Sequence, residues 1–147
     1  MEEKDQNLLE EVMQPYKLIV RKSPLNGYGV FATEDIYEEE VIEQAIFSLT
    51  QYRSRDLVHP ELRQLCYTFP CNCDQCKHRG RNFVLANGYV NLYNSSDSHE
   101  TSNVKFSWDK QSRIITVNAA RDIMKDEEIL HYYGDSYGQD MLNKPVN

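Results

Sequence analysis

Short runs of alternating apolar and polar residues, separated by turn signals, most strongly constrain the fold of this 147-residue chain. Alternation with a period of two is typical of strands that bury one face. The first two runs surround Ser23-Pro24-Leu25-Asn26-Gly27, and the Asn-Gly pair is a strong signal for a hairpin turn. We therefore predict a mostly β fold with strands at 16–21, 28–32, 41–49, 83–85, 89–92, 104–108 and 113–117.

One central segment departs from the alternating pattern. Within residues 51–67, Pro60-Glu61 resembles a helix start, and Leu62, Leu65 and Cys66 share one helical face. We predict a central helical insert among several small sheets. By length the chain forms one domain. We divide it into an N-terminal extension (1–15), a folded domain (16–140, with a cysteine-rich insert at about 66–81) and a C-terminal tail (141–147).

Composition argues against several classes of function. The net charge of −7, from 16 basic and 23 acidic residues, disfavours direct nucleic-acid binding and suits a basic protein partner. No apolar run approaches 18 residues, so we expect no membrane span. Residues 1–14 lack the basic and apolar regions of a signal peptide. We therefore expect an intracellular protein, cytoplasmic or nuclear and not secreted, with reduced cysteines.

The stretch Ala119–Tyr137 carries the most unusual residues. A charged turn at 125–128 precedes three tyrosines that fall within six residues and beside two glycines, namely Tyr132, Tyr133, Tyr137, Gly134 and Gly138. Phenols beside glycines indicate a place where hydroxyl groups and backbone approach a ligand closely, because glycine has no side chain in the way. For this fragment alone, an aromatic core cluster that ends in a turn is the alternative.

Four motifs follow one another in a fixed order along the chain. They are NGYGVFA at 26–32, LYNSS at 92–96 with Asn103-Val104 after it, AARDI at 119–123 before DEEI at 126–129, and YYGDSY at 132–137. This combination resembles the SET-domain protein lysine methyltransferases, whose pattern reads GxGVFA, NHS, PN, AxxxIxxGEE and a terminal YG. The compact length and the YGDSY ending look most like the minimal viral and bacterial members, such as the chlorella-virus histone methyltransferase.

The resemblance implies a fold and an activity. The fold is SET-like (β-clip), with several small sheets and a C-terminal segment that threads under a preceding loop to make a pseudoknot. The activity is methyl transfer from S-adenosylmethionine to the side-chain amine of lysine in a histone-like or other basic protein. The cofactor would lie against the threaded segment and the Asn94 loop, and the lysine would enter from the opposite face.

The resemblance also assigns roles to individual residues. Tyr133 matches the catalytic tyrosine, and Tyr28 could also face the reacting methyl. The residues that match the cofactor site are Gly27, Tyr28, Gly29, Asn94, Ser95, Tyr133 and Tyr137. Tyr93 and Tyr137 are candidates for the substrate channel. The residues alone leave plainer alternatives open, namely core tyrosines, a Gly-Tyr-Gly turn and a polar turn at Asn94.

The chain departs from the family pattern at four places. They are Ser95 in place of histidine, Asn103 delayed by a polar insertion at 97–102, Asp126 in place of the glycine of GEE, and Gly138 where viral relatives often carry tryptophan. An aspartate is tolerated at a glycine position when the turn accepts it in the left-handed conformation. These departures leave a second hypothesis, a weakly active or inactive SET-fold protein-binding module with zinc as an optional stabiliser.

The cysteine-rich segment is a candidate zinc site. Cys71, Cys73 and Cys76 have thiol spacing suited to zinc, and Cys66 or His78 could complete a tetrahedral set. A cluster of reduced, partly buried thiols is the alternative. Zinc therefore stands beside S-adenosylmethionine as a candidate cofactor.

The acidic run at 38–43 bears on partners. Glu38, Glu39, Glu40 and Glu43 could attract a basic segment of a protein substrate with an accessible lysine, although a solvated acidic face explains them equally well. We expect no nucleic-acid or membrane partner. A homodimer, as in small viral relatives, remains open.

Overall fold

The computed structural model describes residues 11–25, 27–49, 66–68, 70 and 83–132. In this part of the chain the regular elements are strands, apart from one 3₁₀ helix, so the predicted mostly β fold of small sheets is confirmed. The elements in order are β1 (Leu18–Lys22), β2 (Tyr28–Ala32), β3 (Val41–Leu49), β4 (Cys66–Thr68), β5 (Phe83–Asn87), the 3₁₀ helix (Tyr89–Leu92), β6 (Val104–Asp109) and β7 (Ile114–Ala119).

The strands form two antiparallel sheets. β1 and β2 make a two-stranded sheet in which Val20 lies opposite Val30, and this confirms the predicted hairpin. The larger sheet has the strand order β4-β5-β3-β7-β6. Its central strand, β3, is the longest because alternation continues over nine residues. The Asn94 loop connects two strands of the larger sheet, β5 and β6, by way of the 3₁₀ helix, whereas the turn at 23–27 joins β1 to β2.

The main core lies against the inner face of β3. A bulge between Val41 and Glu43 shifts the register with β7, and beyond it Glu43, Ala45 and Phe47 are buried. The Phe47 ring meets Trp108 edge to face, with 5.3 Å between ring centroids. Each large apolar side chain buried in this way contributes about 1.5–3 kcal/mol to stability.

Two secondary-structure predictions are wrong. The predicted strand at 89–92 is a 3₁₀ helix, because Gly88 has a φ of 142° and the Tyr89 amide donates to the side chain of Glu43 instead of to a neighbouring strand. The end of the predicted helical insert is strand β4, where Cys66 pairs with Leu85. The remainder of that predicted insert, residues 51–65, lies outside the described residues.

The segment after β7 runs beside both the small hairpin and the Asn94 loop. The Ile129 amide donates to the Val30 carbonyl at 2.7 Å, and Leu130 then forms a parallel bridge with Asn94. On its other side, the Asn103 amide donates to the Leu130 carbonyl at 3.0 Å. The segment therefore contacts both ends of the 95–102 loop. This is the contact pattern required for the first half of the predicted pseudoknot, whose continuation beyond residue 132 lies outside the described residues.

Domain limits at residues 15 and 140 stay predictions, since 1–10 and 133–147 are not described. Among the helices of the described part, none is long and apolar enough to cross a membrane.

Candidate active site

Three chain segments meet at the carboxylate of Glu128. The Asn94 side-chain nitrogen Nδ2 donates to Glu128 Oε2 at 2.7 Å. The Ser23 hydroxyl donates to Glu128 Oε1 at 2.9 Å. Hydrogen bonds to a carboxylate are shorter and stronger than neutral ones, so this half-buried carboxylate firmly joins the hairpin turn to the Asn94 loop.

Gly29 lies directly against this junction. A Cβ built on Gly29 would overlap Glu128 Oε2 and lie 2.9 Å from Asn94 Nδ2. The structure thus gives Gly29 a packing reason, since glycine leaves room for the carboxylate and the amide. The sequence pattern instead assigned this glycine to close approach of a cofactor, and that role stays a prediction.

An open face adjoins the junction at Gly27 and Tyr28. Gly27 has a φ of 49°, and a Cβ there would meet no atom of the described residues within 4 Å. The Tyr28 side chain is 63% exposed. The turn therefore presents accessible backbone at Gly27 and an exposed aromatic ring at Tyr28, directly before Gly29.

Residues 128–132 are called the threaded segment below, after the pseudoknot predicted for them. Asn103 fixes this segment from the side opposite the Asn94 bridge. Its Oδ1 accepts from the Leu130 amide at 2.8 Å, and its Nδ2 donates to the Glu128 carbonyl at 2.8 Å. The side chain is fully buried, so both ends of the amide are used where water cannot replace them. The polar insertion before Asn103 does not prevent this contact.

The turn before Glu128 meets the condition under which aspartate can replace the family glycine. Asp126, which replaces the family glycine, has a φ of 72° and therefore adopts the left-handed conformation. Its amide donates to the Ala32 carbonyl at 2.8 Å. The turn thus brings the following residues alongside β2.

Tyr93 points away from the junction and into the core. Its hydroxyl donates to Glu43 Oε1 at 2.6 Å, and Glu43 Oε2 accepts from the Tyr89 amide at 2.5 Å. Desolvation by burial raises the pKa of the Glu43 carboxyl, although these hydrogen bonds act in the opposite direction. A channel role for Tyr93 stays a prediction.

The acidic run at 38–43 is therefore not one charged surface. Glu43 is only 1% exposed, so its predicted role in attracting a basic substrate is wrong. The physical reason is the alternation of β3, which puts Glu43 on the same buried face as Ala45 and Phe47. Glu39 pairs with Lys105 at 2.5 Å, and Glu40 pairs with Lys17 at 3.2 Å.

Two histidines flank the threaded segment, and the sequence analysis missed both. The His131 ring stacks on Phe106 with 3.9 Å between centroids. Burial, with a smaller contribution from the charge of His99, lowers the pKa of His131 to about 4. The His99 ring meets Tyr132 edge to face at 4.6 Å. A histidine directly before the tyrosine pair was the available signal.

The predicted site residues divide into three groups. Gly29 and Asn94 are in contact at the junction, with Gly27 and Tyr28 next to them. Ser95 is turned into its own loop, where its hydroxyl donates to the Ser96 carbonyl at 3.0 Å. The residues outside the described part are Tyr133, Tyr137, Cys71, Cys73, Cys76 and His78, and Cys66 is described only as backbone in β4.

The predicted zinc site is not tested by this geometry. Over the ranges that the structure describes, no group of three His, Cys, Asp or Glu side chains is arranged to hold a metal ion. The three central cysteines lie outside those ranges, so zinc stays a prediction.

Comparison with known proteins now gives the family. The model of the SET domain family matches residues 27–134, a range that begins at Gly27 and contains Gly29, Asn94 and Glu128 of the junction. This chain belongs to the SET domain family. Among curated proteins, none matches the sequence significantly.

Solved structures of SET proteins share the fold. A Plasmodium falciparum protein assigned as a histone methyltransferase is 28% identical, with a TM-score of 0.58, and the match covers 84% of this chain and 97% of that one. CpSET8 from Cryptosporidium is 20% identical (TM-score 0.55; 80% and 57% covered). ATXR5, in complex with mono-methylated histone H3.1, is 17% identical (TM-score 0.60; 80% and 56% covered). The closer relation to minimal viral or bacterial members stays a prediction.

Proposed function

We propose that this SET protein transfers a methyl group from S-adenosylmethionine to the side-chain amine of a lysine in a protein substrate. The observation that carries the proposal is the junction. Gly29, Asn94 and the threaded segment belong to three separate motifs of the family pattern, and at the junction they are in contact. The 28% identical Plasmodium falciparum structure is described as that of a histone methyltransferase. Membership of the family supports methyl transfer in general. The choice of S-adenosylmethionine as cofactor and of lysine as acceptor is part of the proposal.

Three features of the chain fit S-adenosylmethionine. The Gly27 turn leaves open space beside exposed backbone, the Tyr28 ring is accessible, and an amide and a carboxylate lie next to them at Asn94 and Glu128. When bound, S-adenosylmethionine supplies a methyl group activated by a positively charged sulfonium. An aromatic face attracts such a cation, and the carboxylate adds to the favourable potential.

The residues of the chain would also prepare the lysine. A lysine amine has a pKa of about 10.4 in water, so the site must favour the neutral form, whose lone pair can attack. Apolar and phenolic surroundings do this by desolvation, which lowers the pKa of an amine. We assign the orienting hydroxyl to Tyr133, the second residue beyond His131. Alignment of the nitrogen with the methyl group then supplies much of the rate.

A basic segment of a protein is the proposed substrate. The net charge of −7 favours such a partner, and Glu34, Asp35 and Glu38 are exposed on the turn after β2. ATXR5 was solved with histone H3.1, so histones are the first proteins to try. We place the activity in the cytoplasm or nucleus.

Adjacent tyrosines offer a matched test. Purified protein is incubated with methyl-labelled S-adenosylmethionine and histones, and the label on lysine is located by mass spectrometry. We expect Tyr133→Phe to lower the rate about 100-fold, since misplacing reacting groups by ~1 Å can cost about 10²-fold. Tyr132→Phe, which keeps the ring beside His99, is expected to retain activity within about threefold. Equal effects of the two changes would contradict the role of Tyr133.

A SET-fold binding module without turnover is the second candidate. It is favoured by Ser95, whose hydroxyl is used within its own loop where the family pattern has histidine. Cofactor binding separates the two hypotheses. Titration calorimetry that detects no heat with S-adenosylmethionine, from protein shown to be folded, would overturn the enzyme and leave the module. Metal analysis of the same sample tests the proposed zinc.

A further inference from the structure

Glu128 links two loops that the family pattern treats as separate motifs. One oxygen accepts from Ser23, in the turn that leads into the Gly27–Gly29 segment, and the other accepts from Asn94. Ser23 and Glu128 are 105 positions apart in the chain, so the link is entirely tertiary. It lies at the point where β2, the Asn94 loop and the threaded segment come together.

The link determines which way the Asn94 amide faces. A carboxylate only accepts hydrogen bonds, whereas an asparagine amide has a donating NH₂ and an accepting oxygen of nearly equal shape. With Nδ2 fixed on Glu128 at 2.7 Å, the Asn94 oxygen must point to the other side of the amide.

Ser23 in turn fixes the carboxylate. Its hydroxyl donates to Glu128 at 2.9 Å and accepts from the Leu25 amide at 3.0 Å. The Ser23 amide donates to the Gly27 carbonyl at 2.7 Å and closes the turn. The geometry of the turn is thereby transmitted through one carboxylate to the Asn94 side chain.

We propose that Ser23 and Glu128 are positioning residues that hold Asn94 in the orientation needed for S-adenosylmethionine. They fix the Asn94 oxygen as an acceptor for a donor group of the cofactor and keep the Gly27 turn in register with the threaded segment. This inference rests on the proposed function. It assigns a role to Glu128, the last acidic residue of the charged turn, and to Ser23, which lies before the family model begins.

The test is calorimetric titration of S-adenosylmethionine into folded variants. A hydrogen bond to a charged group contributes about 1.5–3 kcal/mol, and 1.4 kcal/mol is tenfold in affinity. We expect Glu128→Ala to raise Kd at least ~10-fold. Glu128→Gln, which can still accept from Asn94 and donate to Ser23, should recover most of this loss. Ser23→Ala should raise Kd about threefold, and Ser23→Thr should restore it. Glu127→Gln is the control, because Glu127 is next to Glu128 in the chain and pairs with Arg121 at 2.9 Å. It should leave Kd unchanged.

A double-mutant cycle separates positioning from simple stabilisation. If Glu128 acts through Asn94, Glu128→Ala adds nothing to the Kd of Asn94→Ala. Variants that melt at lower temperature but bind with the wild-type Kd, or effects that add fully in the double mutant, would overturn the inference and leave the proposed function intact. Wild-type protein that binds no cofactor would overturn both. Should Glu128→Ala fail to fold, the Ser23→Ala and Ser23→Thr pair gives the same decision.

Discussion

Glu43 and Glu128 accept hydrogen bonds from the adjacent residues Tyr93 and Asn94, but the two glutamates lie in different surroundings. Glu43 is fully buried and accepts from the Tyr93 hydroxyl and the Tyr89 amide. Glu128 is half-buried and accepts from the Asn94 amide and the Ser23 hydroxyl. Because successive side chains of an extended segment point to opposite sides, neighbouring residues serve two different carboxylates.

The difference between these carboxylates separates stability from binding. Glu43 satisfies donors inside the core, where an unmatched polar group is costly. Glu128 joins surface loops beside open space at Gly27. The account therefore predicts that changes at Glu43 act on the free energy of unfolding and that changes at Glu128 act mainly on the affinity for S-adenosylmethionine.

The largest expected effect is the loss of the core carboxylate. Glu43→Ala removes the carboxylate that accepts from the Tyr93 hydroxyl and the Tyr89 amide, and each buried hydrogen bond lost in this way costs about 1–3 kcal/mol. We expect the free energy of unfolding in urea to fall by about 3 kcal/mol. Glu39→Ala, which removes a glutamate from an exposed ion pair, is the control and should cause no measurable change. Similar losses in both variants would remove the contrast.

Acid should lower the free energy of unfolding because it protonates His131, which lies in the threaded segment. A pKa lowered from 6.5 to about 4 means that the folded state resists protonation, so the stabilisation is complete above pH 6.5 and is lost as the pH falls towards 4. The two values differ by about 2.5 units, and one unit is about 1.4 kcal/mol, so up to about 3 kcal/mol is lost.

Unfolding measured across this pH range checks the prediction. The stability of the wild type relative to His131→Phe should decline between pH 6.5 and pH 4. A difference between the two proteins that stays constant with pH would contradict it.

The two glycines of the cofactor turn sharpen the contrast at Glu128. Gly29→Ala pushes a methyl group into the carboxylate–amide pair, and overpacking of this kind costs about 1–3 kcal/mol. We expect it also to weaken cofactor binding because Glu128 must move. Gly27→Ala meets none of the described residues within 4 Å, and its positive φ costs about 1 kcal/mol. Thermal melting and titration of both variants measure the difference, and a larger loss at Gly27 would refute the packing role of Gly29.

The smallest expected effect is at the turn that delivers Glu128. Asp126 has a φ of 72°, which glycine adopts freely and alanine does not. Asp126→Ala should therefore be about 1 kcal/mol less stable than Asp126→Gly in urea denaturation. An alanine variant as stable as the glycine variant would show that the left-handed turn is unimportant.

Local patterns predicted the parts of the fold that depend on neighbouring residues. Strand β3 was predicted with its observed limits because its alternation is continuous, and the hairpin because Asn-Gly lies between two runs. The 3₁₀ helix at 89–92 was missed because the Tyr89 amide donates to the side chain of Glu43, which is 46 positions away in the sequence. The burial of Glu43 had a signal, since it shares the parity of Ala45 and Phe47, but the charged run concealed it.

The junction itself was only half visible in the sequence. Asn94 and Gly29 were assigned to the cofactor site from the family pattern, whereas Glu128 was placed in the DEEI motif and its charged turn with no role at the site. Its partner Ser23 lies in another turn 105 positions away, and no local spacing relates the two. Long-range hydrogen bonds between loops are expected from the predicted threading, which is rare in proteins and has no local sequence signal.

The most direct test of the account compares Tyr93 with Asn94 in one titration series with S-adenosylmethionine. The account predicts that Asn94→Ala raises Kd at least ~10-fold, because a cofactor contact is lost. Tyr93→Phe, which removes only the hydroxyl that faces Glu43, should lower stability and leave Kd within about threefold of the wild type. Absence of binding to the wild type, or equal changes in Kd for the two variants, would contradict it.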